Sequence, residues 1–156
     1  MRISVGALPL LTAALLASPR PGVGQATSPS VRSEVRVAID QLAESPGAFG
    51  QGFAAGPQLG NRAPMKALDS LMARSPDSTL TALVGCFTET GATQLHYAGQ
   101  RLSRGGACYA VLRNLAYREV DGAWAGNIGG TLTTKRLRAA QLAWREAIKR
   151  HWYNVL

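Results

Sequence analysis

The sequence predicts a mainly α-helical protein: a small bundle of four to five helices with one short β-hairpin, stapled by a Cys86–Cys108 disulfide. Three observations predict it. Apolar residues recur at helical spacing in several separate segments. Only one pair of short segments, Gln94–Tyr97 and Arg101–Ser103, reads as paired strands, around Ala98-Gly99-Gln100. The chain holds two cysteines, and they fall on the helices that flank that hairpin.

Each element has its own signal. Val31, Val35, Ala38, Ile39 and Leu42 give one apolar face to a helix over 31–44, with Ser30 as cap and Ser45-Pro46-Gly47 as stop. Residues 48–61 are rich in glycine and read as a loop or linker. Asn61 caps a second helix, tolerant of Pro64 in its first turn, with Met65, Leu68, Leu71 and Met72 as its stripe. Ser75-Pro76-Asp77 ends that helix and starts a third, on which Leu80, Leu83, Val84 and Phe87 line up and Cys86 stands near the end. A lone hairpin is marginal in water, so 94–103 must pack on helices. Gly105-Gly106 precedes a fourth helix, with Cys108, Val111, Leu112, Leu115 and Ala116 inside, ending near Glu119. Residues 123–132, around Trp124, read as a glycine-containing loop. Thr133 or Thr134 caps the last helix, which runs to about Trp152 with Leu137, Ala140, Gln141, Trp144, Ala147 and Ile148 on its inner face.

The first 26 residues have the order of a secretory signal peptide. Arg2 supplies the positive start, 3–17 are uncharged and dominated by Leu and Ala, Pro19 to Gly22 break the run, and Gly24-Gln25-Ala26 offers a cleavage site. A second possible cut follows Ala17. The alternative is an uncleaved anchor, but the run is shorter than the roughly 20 apolar residues a span needs. The expected organisation is a signal peptide (1–26), an N-terminal helix with a glycine-rich linker (27–61) and a compact helical domain (62–156). The expected location is periplasmic or secreted. In that compartment two cysteines predict one disulfide; the alternative is two buried thiols. The bridge closes a loop of about 23 residues, worth about 3 kcal/mol in the chain-entropy account.

The chain has 17 Lys and Arg against nine Asp and Glu. Removal of Arg2 and Arg20 with the signal peptide leaves a formal charge of +6. The surplus is concentrated after Leu132: Lys135, Arg136, Arg138, Arg145, Lys149 and Arg150 face one acid, Glu146. Such a segment suits an anionic envelope component or an acidic protein; the alternative is a solvated helix face. Arg145, Lys149 and Trp152 are spaced i, i+4 and i+7, so a helix continued to Trp152 puts them on one face. With the loop residue Trp124 they form the candidate binding surface.

From about Pro76 onward the chain carries Leu-Val-Gly-Cys (83–86), then Cys-Tyr-Ala-Val-Leu-Arg-Asn-Leu-Ala-Tyr-Arg-Glu (108–119), Trp124-Ala-Gly126 and Leu137-Arg-Ala-Ala-Gln-Leu-Ala-Trp144, with Lys149 and Tyr153. In this pattern it resembles an uncharacterised family of exported bacterial proteins. The resemblance implies one folding unit with a variable N-terminal attachment, and it brings no activity with it. Residues 137–152 also resemble the C-terminal helix of the lysozyme-inhibitor-like periplasmic proteins. Those place a cysteine after that helix, where this chain has Trp152 and Tyr153.

Catalytic chemistry finds few residues. His96 and His151 are 55 positions apart, without the spacing of a metal site, so neither a metal nor another cofactor is expected. A disulfide removes both thiols as nucleophiles. Neither G-x-S-x-G nor a Walker-type loop is present; Gly129-Gly130 with Thr133 and Lys135 lacks the order of the latter. Glu119 and Asp121 are close in sequence, but a hydrolytic carboxylate pair needs a defined gap across a cleft. Three readings follow: a non-enzymatic binding or inhibitor-like protein of the envelope, a small hydrolase around Glu119, Asp121 and Trp124, or a purely structural domain. Export and the lack of a recognised module argue against nucleic acid.

Overall fold

The computed structural model describes residues 29–49, 62–97, 99–120, 123–124 and 131–156. The expected signal peptide, the glycine-rich segment 50–61, Asp121 and Gly129-Gly130 lie outside them. Among the described residues there are five helices: α1 (Pro29–Ala43), α2 (Ala63–Arg74), α3 (Pro76–Gly85), α4 (Arg104–Leu115) and α5 (Thr134–Arg150). The protein is mainly helical, with short strands and a Cys86–Cys108 disulfide.

The helices form where apolar spacing predicts them, but their starts differ: the expected cap Ser30 lies inside α1, and Gly105-Gly106 lie inside α4, which Ser103 caps. α1 buries Val31, Val35, Ala38, Ile39 and Leu42; α2 buries Met65, Leu68, Leu71 and Met72. Arg62, the residue after the expected cap Asn61, holds the N-cap position of α2, and Pro64 lies in its first turn. Ser75 does stand between α2 and α3, but its side chain makes no cap bond. Its carbonyl instead accepts from the Thr79 amide (3.0 Å) and hydroxyl (2.8 Å). Thr133 caps α5, its hydroxyl accepting from the Arg136 amide at 3.3 Å.

α3 is the central helix: α1, α2, α4 and α5 all pack on it. Leu80, Leu83 and the adjoining Phe87 have no solvent exposure, and Val84 almost none. Phe87 meets Tyr109 of α4 edge to face, with ring centroids 5.5 Å apart. The buried Gln141 of α5 donates to the Val84 carbonyl at 2.8 Å, which satisfies a polar group that would otherwise be costly inside. α1 contributes to the same core, which therefore begins well before residue 62.

The strands exceed the one expected hairpin. That hairpin is present as β2 (Ala92–Tyr97) and β3 (Gln100–Ser103), with Gly99 at φ +77° in its turn. The segment Gly47–Phe49, expected to be loop, is β1 and pairs parallel with β2, setting Phe49 opposite Tyr97. Burial of Phe49 and Leu95 on the core holds this short ladder in register. The fourth helix stops earlier than its apolar spacing suggests. At Ala116 the backbone is already extended (φ −159°, ψ 160°), and Ala116–Val120 is β4. It pairs antiparallel with β5 (Ala123–Trp124) on one edge and with β6 (Tyr153–Val155) on the other. Aromatic and β-branched residues at 117, 120, 153 and 155 suit a pleated surface, and the partner strand comes from the far end of the chain.

The last helix ends at Arg150, two residues short of Trp152. His151 takes the left-handed conformation (φ 54°), and the Trp152 amide turns back to the Ala147 carbonyl at 2.8 Å. The chain is then drawn along β4, so pairing with β4 supersedes another helical turn.

Candidate binding sites

Two arginine-bearing surfaces stand out. The first lies on α5 and takes in Arg145 and Lys149 of the expected surface. Leu137, Ala140, Gln141, Trp144 and Ala147 turn inward, with Trp144 4% exposed. Outside, Arg138, Leu142, Arg145 and Lys149 follow at i, i+4, i+7 and i+11, forming one exposed stripe roughly 16 Å long. Leu142 is 65% exposed in its middle. Among the described residues none of Arg138, Arg145 and Lys149 has an ion-pair or hydrogen-bond partner. Arg150 does: it pairs with Glu146 and stacks 4.6 Å from the centre of the Trp152 ring.

Because α5 ends at Arg150, helical spacing does not carry Trp152 onto the Arg145–Lys149 face. It stands just past the helix, 41% exposed. Tyr153 is anchored beside it, its hydroxyl donating to the Asp77 carboxylate at the start of α3. Burial, reinforced by that carboxylate, raises the Tyr153 pKa above its ordinary value. His151 Nδ1 lies 3.7 Å from the same carboxylate. Asp77 thereby fixes the end of α5 against the start of α3.

Trp124 lies in β5, and its backbone sits opposite Glu119 in the β4–β5 ladder. Both side chains, like Asp121, fall outside what is described. Arg118 has its guanidinium 5.9 Å from the Trp144 ring centre, and Arg113 donates to the Tyr97 hydroxyl at 2.9 Å.

The second surface was not singled out in the sequence. It is a cleft of about 340 Å³ between α1 and α3, closed at one end by the turn after α3 and the first residue of α4. Val35, Ile39 and Ala82 supply its apolar wall; Arg32, Arg36, Arg104, Glu89 and Thr81 supply its polar one. Arg36 Nη1 donates to Glu89 Oε1 at 2.7 Å, and its Nε is 3.6 Å from Asp40 Oδ1. Arg104 contacts the same two acids, with Nε 3.2 Å from Glu89 Oε2. Burial, then the nearby Arg36, lowers the Arg104 pKa.

Local structure sets this cluster. The Gly105 amide donates to the Glu89 carbonyl at 2.9 Å, and a Cβ on Gly105 would stand 2.1 Å from the Phe87 carbonyl oxygen. Only glycine lets α4 start this close to the turn that carries Glu89. The disulfide holds Cys86, on the cleft wall, to Cys108 one turn into α4. A sequence signal did exist: Arg32 and Arg36 are one turn apart beside the apolar face of α1. The acid that joins Arg36 to Arg104, Glu89, is 53 positions from Arg36, beyond any local pattern.

A second recess, between Tyr97, Tyr109 and Leu132, holds only about 10 Å³, too small for more than about one water. Among the described residues no group of three His, Cys, Asp or Glu is placed to hold a metal, and no helix is long and apolar enough to cross a membrane. No family model, curated protein or solved structure matches this chain.

Proposed function

We propose that this is an exported, non-enzymatic binding protein of the cell envelope that docks on an anionic lipid surface through α5. The single observation that carries the reading is the stripe Arg138, Leu142, Arg145 and Lys149: three cations without partners among the described residues, around an exposed leucine. Arg150, by contrast, is paired along the helix with Glu146. Among the described residues this charge is unpaired, with Leu142 on the stripe and Trp152 exposed just past the helix end as apolar contacts of the kind that settle at a headgroup layer. The disulfide agrees with an oxidising compartment, and the N-terminal pattern of 1–26 supports export.

Co-sedimentation of the mature protein with phosphatidylcholine vesicles, with and without phosphatidylglycerol, tests this. Binding is expected only to the anionic vesicles, and is expected to fall with added salt. Basic residues near an anionic surface contribute about 1 kcal/mol each. Replacing Arg145, Lys149 and Trp152 together by alanine should therefore weaken binding by a factor of about ten or more, with far-UV circular dichroism unchanged. Equal binding to both vesicles, or an unchanged affinity in the triple variant, overturns the assignment. Capture of an acidic protein without any vesicle binding would do the same.

A further inference from the structure

We propose that the α1–α3 cleft is a binding site for a small monocarboxylate with an apolar body, separate from the α5 surface. No residue of α5 lines it. Its charges decide the sign of the ligand. Arg36 and Arg104 share Asp40 and Glu89, two cations against two anions. Arg32, on the same wall one turn before Arg36, has no ion-pair or hydrogen-bond partner among the described residues. The cluster thus keeps one positive charge in excess, and Arg32 and Arg36 repel each other along the helix. A carboxylate accepting from both guanidiniums removes that repulsion in the fork geometry arginine favours.

The wall decides the rest of the ligand. Val35, Ile39 and Ala82 line the cleft beside the arginines and give it one apolar face. At about 30 Å³ per water-sized group, 340 Å³ takes roughly ten non-hydrogen atoms. That is a medium-chain carboxylate, such as octanoate, with the head at Arg32 and Arg36 and the chain along α1 and α3. A bare anion such as phosphate leaves the apolar wall unfilled.

The test is calorimetric titration of the mature, oxidised protein with octanoate, octylammonium and inorganic phosphate. Octanoate should bind; octylammonium and phosphate should bind at least tenfold more weakly. Arg32→Gln, an exposed change that leaves the core untouched, should weaken octanoate about fivefold, the scale of a solvent-accessible ion pair. Ala82→Trp should abolish it by filling the cleft; near-ultraviolet circular dichroism checks that this variant folds. Arg145→Ala with Lys149→Ala should change nothing, which separates this site from the α5 surface. Absence of octanoate binding, equal binding of octylammonium or phosphate, indifference to Arg32→Gln, or loss in the α5 variant each overturn the proposal.

Discussion

Arg36 and Arg104 stand in the cleft with Asp40 and Glu89 between them, while Arg138, Arg145 and Lys149 run along α5 without partners among the described residues. Both groups come from helices and both count equally toward the net charge. They differ in what surrounds them. The cleft arginines are tied into a cluster that joins α1, the turn after α3 and α4, so part of their charge serves to hold the fold. Among the described residues Arg138, Arg145 and Lys149 join nothing, so removing them should cost the fold little. Net charge alone does not say which cations are available to a partner; pairing in the folded state does.

That contrast can be broken from the cleft side. The largest effect is expected from the disulfide that ties the cleft wall to α4. Cys86→Ala with Cys108→Ala should lower stability by about 3 kcal/mol, read from urea unfolding. A loss under 1 kcal/mol would show that packing of Phe87 and Tyr109 suffices without the bridge.

Next comes a pair of glycines. Gly105→Ala should cost about 2 kcal/mol, because the new methyl meets backbone and pushes α4 away from Glu89. At Gly85, also on the cleft wall, an added Cβ has nothing within 4 Å, so Gly85→Ala should gain roughly 0.5–1 kcal/mol from helix propensity. If both variants lose stability equally, the close approach at Gly105 is not what positions the cluster.

The smallest effect belongs to the α5 end. The Tyr153 pKa is raised in the folded state, by burial and by the Asp77 carboxylate, above its ordinary 10.0. The folded protein therefore holds the phenol proton more tightly than the unfolded chain does. The stabilisation is fully present below pH 10 and is lost as pH rises further. Tyr153→Phe should lower stability modestly at pH 8, by about 1 kcal/mol, and should flatten the decline above pH 10. Thermal unfolding at pH 8, 10 and 11 in both proteins reads the difference; parallel declines would remove Tyr153 as their cause.

The five helices, the β2–β3 hairpin and the buried Trp144 were legible from residue order. Each rests on spacing within about a dozen residues: Val31 to Leu42 on α1, Leu137 to Ala147 on α5, Gly99 between two short strands. The α5 cations were legible for the same reason, since a helix places i, i+4 and i+7 on one side wherever it sits. Trp152 was misplaced because the signal for its element lay elsewhere: β4 pairs with 153–155 and ends the helix before it.

The sequence by itself thus determined which segments coil, which face of each is apolar, and that two cysteines flank the hairpin. Only the tertiary structure decided that Gly47–Phe49 joins β2, that α4 gives way to strand at Ala116, and that Arg36 meets an acid 53 positions away. Helical periodicity is a short-range property of the backbone. Strand partners, ion clusters and clefts arise from which distant surfaces the core brings together, and one helix at a time carries no record of that.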